Sequence, residues 1–186
     1  MILAAAQREF ARVGFSGARI ERIAAEAQCN RALVYFYFKN KGALFEAALD
    51  EAAEHRSGQM GAQPQTLAEG LIYWFGQNFA EPTRIRLIMQ EALADTFEAS
   101  IPARRQAYLD EQVGIVRAFQ QHGLLRGDID PRHLLTMFLA LTSFPACFPK
   151  IASVSLAVAD EKQLQEEWKT CLKIVADLLA PPGAQP

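Results

Sequence analysis

Residues 20–44 read IERIAAEAQCNRALVYFYFKNKGAL, and the way this stretch breaks into pieces decides the fold. Ile20, Ile23, Ala24 and Ala27 recur at helical spacing and give the first piece one apolar face. Gln28, Cys29 and Asn30 interrupt the pattern. Asn30 is placed to cap the next helix, its side-chain oxygen accepting from a free backbone N–H. Leu33, Val34 and Phe38 supply a second apolar stripe, with Val34 and Phe38 one turn apart. Two short helices joined by a tight turn form a helix-turn-helix, whose second member can enter a DNA major groove.

That second helix carries Tyr35, Phe36, Tyr37 and Phe38 in succession. Successive helical residues point about 100° apart, so these four rings cannot share one core. Phe38 and one neighbour can be buried, while Tyr35, on the face of Arg31, is expected to look outward. There an Arg and a Tyr can meet base edges and phosphates. Asn40 can cap a helix starting at Lys41, and a lysine beside a helix N-terminus suits a phosphate.

Four pieces now stand in order: ILAAAQREFARVGFSG (residues 2–17), IERIAAEA (20–27), LVYFYFKNK (33–41) and ALFEAAL (43–49). Together, the stretch from Ile2 to Leu49 resembles the DNA-binding domain of the TetR family of bacterial transcriptional regulators. The resemblance implies a homodimer, a three-helix DNA-binding domain and a helical C-terminal domain that usually binds a small effector. It also points to the DNA-facing residues. Arg31 and Tyr35 are expected at the groove, Arg19, Tyr37 and Lys41 at phosphates, and Ala32 among the DNA-binding residues. There are departures from the family pattern. Gln28 stands where the family has Gly, at a turn that needs a left-handed backbone, which costs a non-Gly residue roughly 1–2 kcal/mol. Ala18 and Arg19 replace the family's Thr or Ser, so the cap of the second helix is weakened, with Ser16 as a poor substitute, while a positive charge is gained. Tyr37 stands for a frequent His. Operator sequence is therefore not inherited from relatives.

Composition agrees with a local DNA contact. The net charge is −2, yet residues 1–50 carry seven Lys and Arg against five Asp and Glu, leaving twelve against sixteen elsewhere. A slightly basic module on an acidic body fits contact through one part of the molecule. The three cysteines, Cys29, Cys147 and Cys171, are far apart and odd in number, which argues against a disulfide framework and fits a reducing cytoplasm. The three histidines have no metal-like spacing, and no metal or other cofactor is expected. The uncharged run Leu134–Pro149 is shorter than the roughly 18 apolar residues of a membrane span and contains two prolines, so a buried helix is expected and no membrane partner. No signal peptide is evident at the N-terminus.

The rest of the chain reads as all-α, with about nine helices in total. The first spans residues 2–13 and closes at Gly14; a fourth runs from Lys41 to about Arg56, followed by the loop-like stretch 57–64. Further helices are expected at 66–79, at 84–96, and from Ile101-Pro102 to Gln121. Another is capped by Asp130 with Pro131 at its first position and stops before Pro145, and the last covers 161–179. Residues 149–159 form a less regular apolar segment. We divide the chain into a DNA-binding domain, 1–48, and an effector-binding and dimerisation domain, 49–186.

In the resembling family the last two helices of each subunit build a four-helix dimer interface. Here those carry Leu135, Phe138, Leu164, Trp168, Leu172, Val175 and Leu179, a ridge that could instead pack within one chain. An effector cavity is expected among Trp74, Phe75, Phe79, Met89, Phe119, Met137 and Phe138, with Cys147 as a possible orienting group, and its ligand would be largely apolar. The expected function is a repressor that such a ligand releases from a near-palindromic double-stranded operator. Two other readings stay open: a DNA-binding dimer without an effector, acting as activator or architectural factor, and an apolar-ligand carrier with a vestigial helix-turn-helix. No Gly-x-Ser-x-Gly, phosphate-binding glycine loop or His-Glu-x-x-His occurs, so an enzyme is not expected.

Overall fold

The computed structural model describes residues 1–57, 64–93 and 103–181, and every regular element among them is a helix. In order these are α1 (Ile2–Gly17), α2 (Ile20–Glu26), α3 (Arg31–Tyr37), α4 (Lys41–Ser57), α5 (Leu67–Ala80), α6 (Pro82–Leu93), α7 (Ala103–Gln121), α8 (Pro131–Cys147), α9 (Pro149–Leu156) and α10 (Glu161–Leu178). The loop expected after residue 57, the end of the helix expected at 84–96 and the Ile101-Pro102 start lie, wholly or largely, outside the described residues. The segment after Pro149 is itself a helix with proline in its first turn, which raises the count to ten.

The chain gathers into two compact units, one of Met1–Gly61 with Glu81–Arg105, the other of Ala62–Ala80 with Gln106–Pro186. In the first, Ala5, Ala6 and Phe10 of α1 form a fully buried floor against Ile23, Val34, Leu44 and Ala48. Phe10 meets the Phe45 ring edge-on at 4.9 Å, a preferred aromatic arrangement. Helix α6 belongs here too, with Leu87 completely buried in the same core. Gly14 has φ 74°, a left-handed backbone that favours glycine, and a Cβ there would also have to displace the end of the Gln90 side chain of α6, whose Oε1 would lie 2.7 Å away. The helical run resumes past this kink to Gly17 rather than ending at Gly14.

The second unit has two apolar clusters. Leu71 and Phe75 of α5 pack with Leu172 and Ala176 of α10, and Val116, Leu125, Leu134 and Leu179 form the other. Helix α8 does not stop before Pro145 but runs through it to Cys147. A proline inside a helix leaves the carbonyl four residues earlier without its N–H. That carbonyl, Leu141 O, accepts instead from Trp168 Nε1 at 2.9 Å, and the next, Thr142 O, accepts from the buried Asn78 Nδ2 at 2.8 Å. A side chain of α10 thus replaces the missing backbone donor, and one of α5 adds a bond at the next carbonyl. Asp130 caps α8 as expected, accepting from Arg132 N at 2.7 Å. Among the described residues no single helix is long and apolar enough to cross a membrane, and α8 and α9 together are bent by 94°.

Candidate nucleic-acid interface

Three local devices set the geometry of α2, α3 and α4. Gln28 takes φ 54°, and around it Cys29 N donates to Ala24 O at 2.9 Å while Gln28 N donates to Ala25 O at 3.1 Å. This pair of bonds ends α2 in a Schellman motif, with a glutamine holding the left-handed position that favours glycine. Asn30 Oδ1 then accepts from Leu33 N at 2.8 Å and starts α3. Asn40 Oδ1 accepts from Ala43 N at 2.8 Å and starts α4. Both asparagine caps fall where the sequence puts them.

The seven residues of α3 bury one side chain, Val34, while Phe38 just beyond the helix is half-buried against the core of the unit. Leu33, read as part of the apolar stripe, is instead exposed. The core covers a single side of so short a helix, and Leu33 lies a step of rotation away from Val34. Arg31, Ala32, Tyr35 and Tyr37 all reach solvent. So does Phe36, which is 80 % exposed and stands edge-on to the Tyr37 ring at 5.3 Å. Phe36 was missing from the expected DNA-facing set, although the four-aromatic run showed that some ring had to face outward.

The charged residues are held rather than loose. Arg31 lies 5.9 Å over the Tyr35 ring and pairs with Glu21 of α2 at 2.7 Å. Lys41 Nζ donates to Ser16 O at 3.3 Å and sits 4.8 Å over Phe15, which places it against the end of α1. Arg19 is the N-cap of α2 and, as its sequence implies, its side chain makes no capping bond. A different bond comes from another helix: Glu9 Oε1, on α1, accepts from the backbone N–H of the N-cap residue itself, Arg19 N, at 3.4 Å. Glu9 is 3 % exposed and also pairs with Arg22 Nη1 at 3.5 Å and with Arg12 Nη2. Burial pushes its carboxyl upward, but the Arg12 hydrogen bond, the Arg19 N–H and the two guanidinium charges outweigh this and hold it below the usual carboxylate range.

The residues expected to line a cavity or a dimer interface are placed as follows. Phe75, Phe79 and Phe138 join the cluster of Leu71 and Leu172, and Phe119 joins that of Leu125. Trp74 and Cys147 are half-buried, and burial pushes the Cys147 thiol up. Met137 is exposed, and Met89, on α6, belongs to the first unit. Leu164, Leu172 and Leu179 are buried within the chain, and Leu135, Trp168 and Val175 are half-buried. The large apolar side chains that α8 and α10 turn to solvent are Met137 and Phe144 of α8 with Ile174 and Leu178 of α10.

Two family descriptions match this chain. "Bacterial regulatory proteins, tetR family" covers residues 2–48, and "Tetracyclin repressor-like, C-terminal domain" covers 73–176. The chain belongs to the TetR family. This TetR-family regulator is 31% identical over 160 residues to the HTH-type transcriptional repressor SCO4008 of Streptomyces coelicolor, spanning 86% of this chain and 83% of that one. Its fold matches the crystal structure of transcriptional regulator SCO4942 from the same species with a TM-score of 0.77 and 28% identity, over 94% and 95% of the two chains. FadR of Bacillus subtilis, solved in complex with stearoyl-CoA, shares the fold with a TM-score of 0.65 and 20% identity, over 94% and 96%. Relatives of this TetR-family regulator are thus named as regulators and repressors, not as enzymes.

Proposed function

We propose that this TetR-family chain is a cytoplasmic, dimeric, sequence-specific repressor that a largely apolar small molecule releases from a near-palindromic DNA operator. One observation carries the reading: α3 buries Val34 alone and turns Arg31, Tyr35, Phe36 and Tyr37 to solvent. Exposed rings beside charged groups, on the second helix of a helix-turn-helix, suit base edges and phosphates. Arg31, Ala32, Tyr35 and Phe36 take the groove; Arg19, Tyr37 and Lys41 take phosphates. Residues 1–48 bind DNA, and 49–186 bind effector and partner.

For the dimer, Ile174 and Leu178 lie one turn apart on α10 and supply an apolar stripe, with Met137 of α8 a further exposed apolar side chain. Leu135, Phe138, Trp168 and Val175 extend it from half-buried positions, while Leu164, Leu172 and Leu179 brace it from the protomer's own core. Two-fold symmetry then puts the recognition helices about one DNA turn, roughly 34–36 Å, apart. The effector reading draws support from the apolar interior of the second unit around Phe75, Phe79, Phe119 and Phe138, with Trp74, Met137 and Cys147 as further contacts in that unit, and from the acyl-CoA bound by FadR. Helix α4, and α6 through its junction with α5 at Glu81, would carry the ligand's preference to α3. A coupling of about 1–3 kcal/mol is enough for regulation.

The test is selection of bound sequences from a random duplex pool at two salt concentrations. A palindromic motif with half-sites one turn apart is the expected result. Absence of any enriched motif, with binding that vanishes at moderate salt, points to the ligand-carrier reading. A motif whose affinity no apolar ligand changes points to a DNA-binding dimer without an effector.

A further inference from the structure

The arginines around Glu9 form a group that the recognition helix does not account for. A carboxylate only 3 % exposed is costly unless it is paired and hydrogen-bonded. It is met from two helices, by Arg12 of α1 and by Arg22 with the Arg19 N–H of α2. The two guanidiniums are not used up by this. Their side chains remain 59% and 49% exposed, and each has five N–H donors of which Glu9 takes one. Two guanidiniums against one carboxylate leave the group with a net positive charge. It sits where α2 begins, and the first helix of a helix-turn-helix crosses the DNA backbone.

We propose that Arg12 and Arg22 form a second phosphate-binding site of the DNA interface, with Glu9 as the positioning residue that holds both guanidiniums toward one stretch of backbone. This deepens the DNA-binding reading above and rests on it. A tethered arginine has less side-chain freedom to lose when a phosphodiester arrives, and its planar fork presents paired donors to the phosphate oxygens. Contacts of this kind carry affinity and register without reading sequence.

The sign of one substitution separates positioning from mere charge. Glu9→Gln removes a negative charge, so simple attraction to DNA predicts tighter binding and a steeper salt dependence. Loss of positioning predicts the reverse. Binding of the full chain to its selected duplex and to a scrambled one is measured from about 50 to 200 mM salt, with a thermal melt of each variant as control. Arg12→Ala and Arg22→Ala should each weaken both duplexes about 3–10-fold and reduce the slope of log affinity against log salt by about one, leaving sequence preference intact. Glu9→Gln should weaken both duplexes and lower the slope as well. Wild-type slopes and affinities in both arginine variants, or tighter binding by Glu9→Gln, would overturn the proposal. If Glu9→Gln does not fold, the two arginine slopes decide alone. A wild-type chain that binds neither duplex overturns the DNA-binding reading itself, which is a distinguishable failure.

Discussion

Two runs of aromatic residues in this chain meet opposite fates. Helix α5 carries Tyr73, Trp74 and Phe75 in succession, and α3 carries Tyr35, Phe36 and Tyr37. In α5 none of the three is exposed, and Phe75 is completely buried with its ring edge against Phe79 at 4.9 Å. In α3 all three are exposed. Residue type does not separate the two, since both runs are apolar and helical. Coverage does. Helix α5 has 14 residues and packs against both α8 and α10, whereas the seven-residue α3 is held to its unit by Val34, with Phe38 just beyond its end. Rings without a covering helix form a surface for something outside the chain.

Truncating the buried member sharpens that contrast most. Phe75→Ala opens a cavity between α5 and α10 and should lower stability by about 3–5 kcal/mol in chemical denaturation. A loss within the range of a surface substitution would mean that the cluster around Leu71 and Leu172 is not the core described here. Next in size is a charged residue on the exposed side. Arg31→Ala should leave the melting temperature nearly unchanged and reduce discrimination at one position of each half-site by about 1–3 kcal/mol, read from the selected-sequence profile. An unaltered profile would remove Arg31 from the groove and leave it as the partner of Glu21.

What the sequence reveals here follows the range of each interaction. The Asn30, Asn40 and Asp130 caps bond within three residues, so spacing alone places them. The left-handed turn at Gln28 is local in the same way. Three features are not local. The backbone N–H of Arg19, at the start of α2, is accepted by Glu9, ten residues away on another helix. The carbonyl freed by Pro145 is satisfied by Trp168, 27 residues from Leu141. Leu87 of α6 enters the core of the first unit although α5 and α7 on either side belong mainly to the second. Each depends on a partner that periodicity does not specify. The same limit applies to α10. Its ridge of Leu164, Leu172 and Leu179 reads equally well as an interface or a core, and the helices of its own chain take it as core. In α3 the run of four rings shows that aromatics must face outward without showing that Phe36 is the most exposed.

The turn that presents α3 gives a smaller effect with the opposite sign. Gln28 holds φ 54°, which costs roughly 1–2 kcal/mol, so Gln28→Gly should stabilise the chain by about 1 kcal/mol once what glycine gains in the unfolded state is subtracted. A rise in melting temperature of about 2–4 °C is the expected reading for a chain of this size. A fall would mean that the glutamine side chain contributes more than its backbone costs.

Phe36→Ala has the smallest expected effect on stability and the clearest bearing on the contrast between the two runs. Deleting a phenylalanine from a core costs several kcal/mol, but Phe36 is 80 % exposed and touches the Tyr37 ring alone among the aromatic contacts. Its removal should therefore change stability by no more than about 0.5 kcal/mol. DNA affinity should fall all the same, most at a position carrying thymine, because an outward ring can pack on the thymine methyl group in the major groove. Stability and binding are measured on the same preparation. A loss of stability as large as that of Phe75→Ala would show that α3 is covered in solution by something this chain supplies. Unchanged affinity for every duplex would leave Phe36 an exposed ring without a role on DNA and move recognition to Arg31 and the tyrosines.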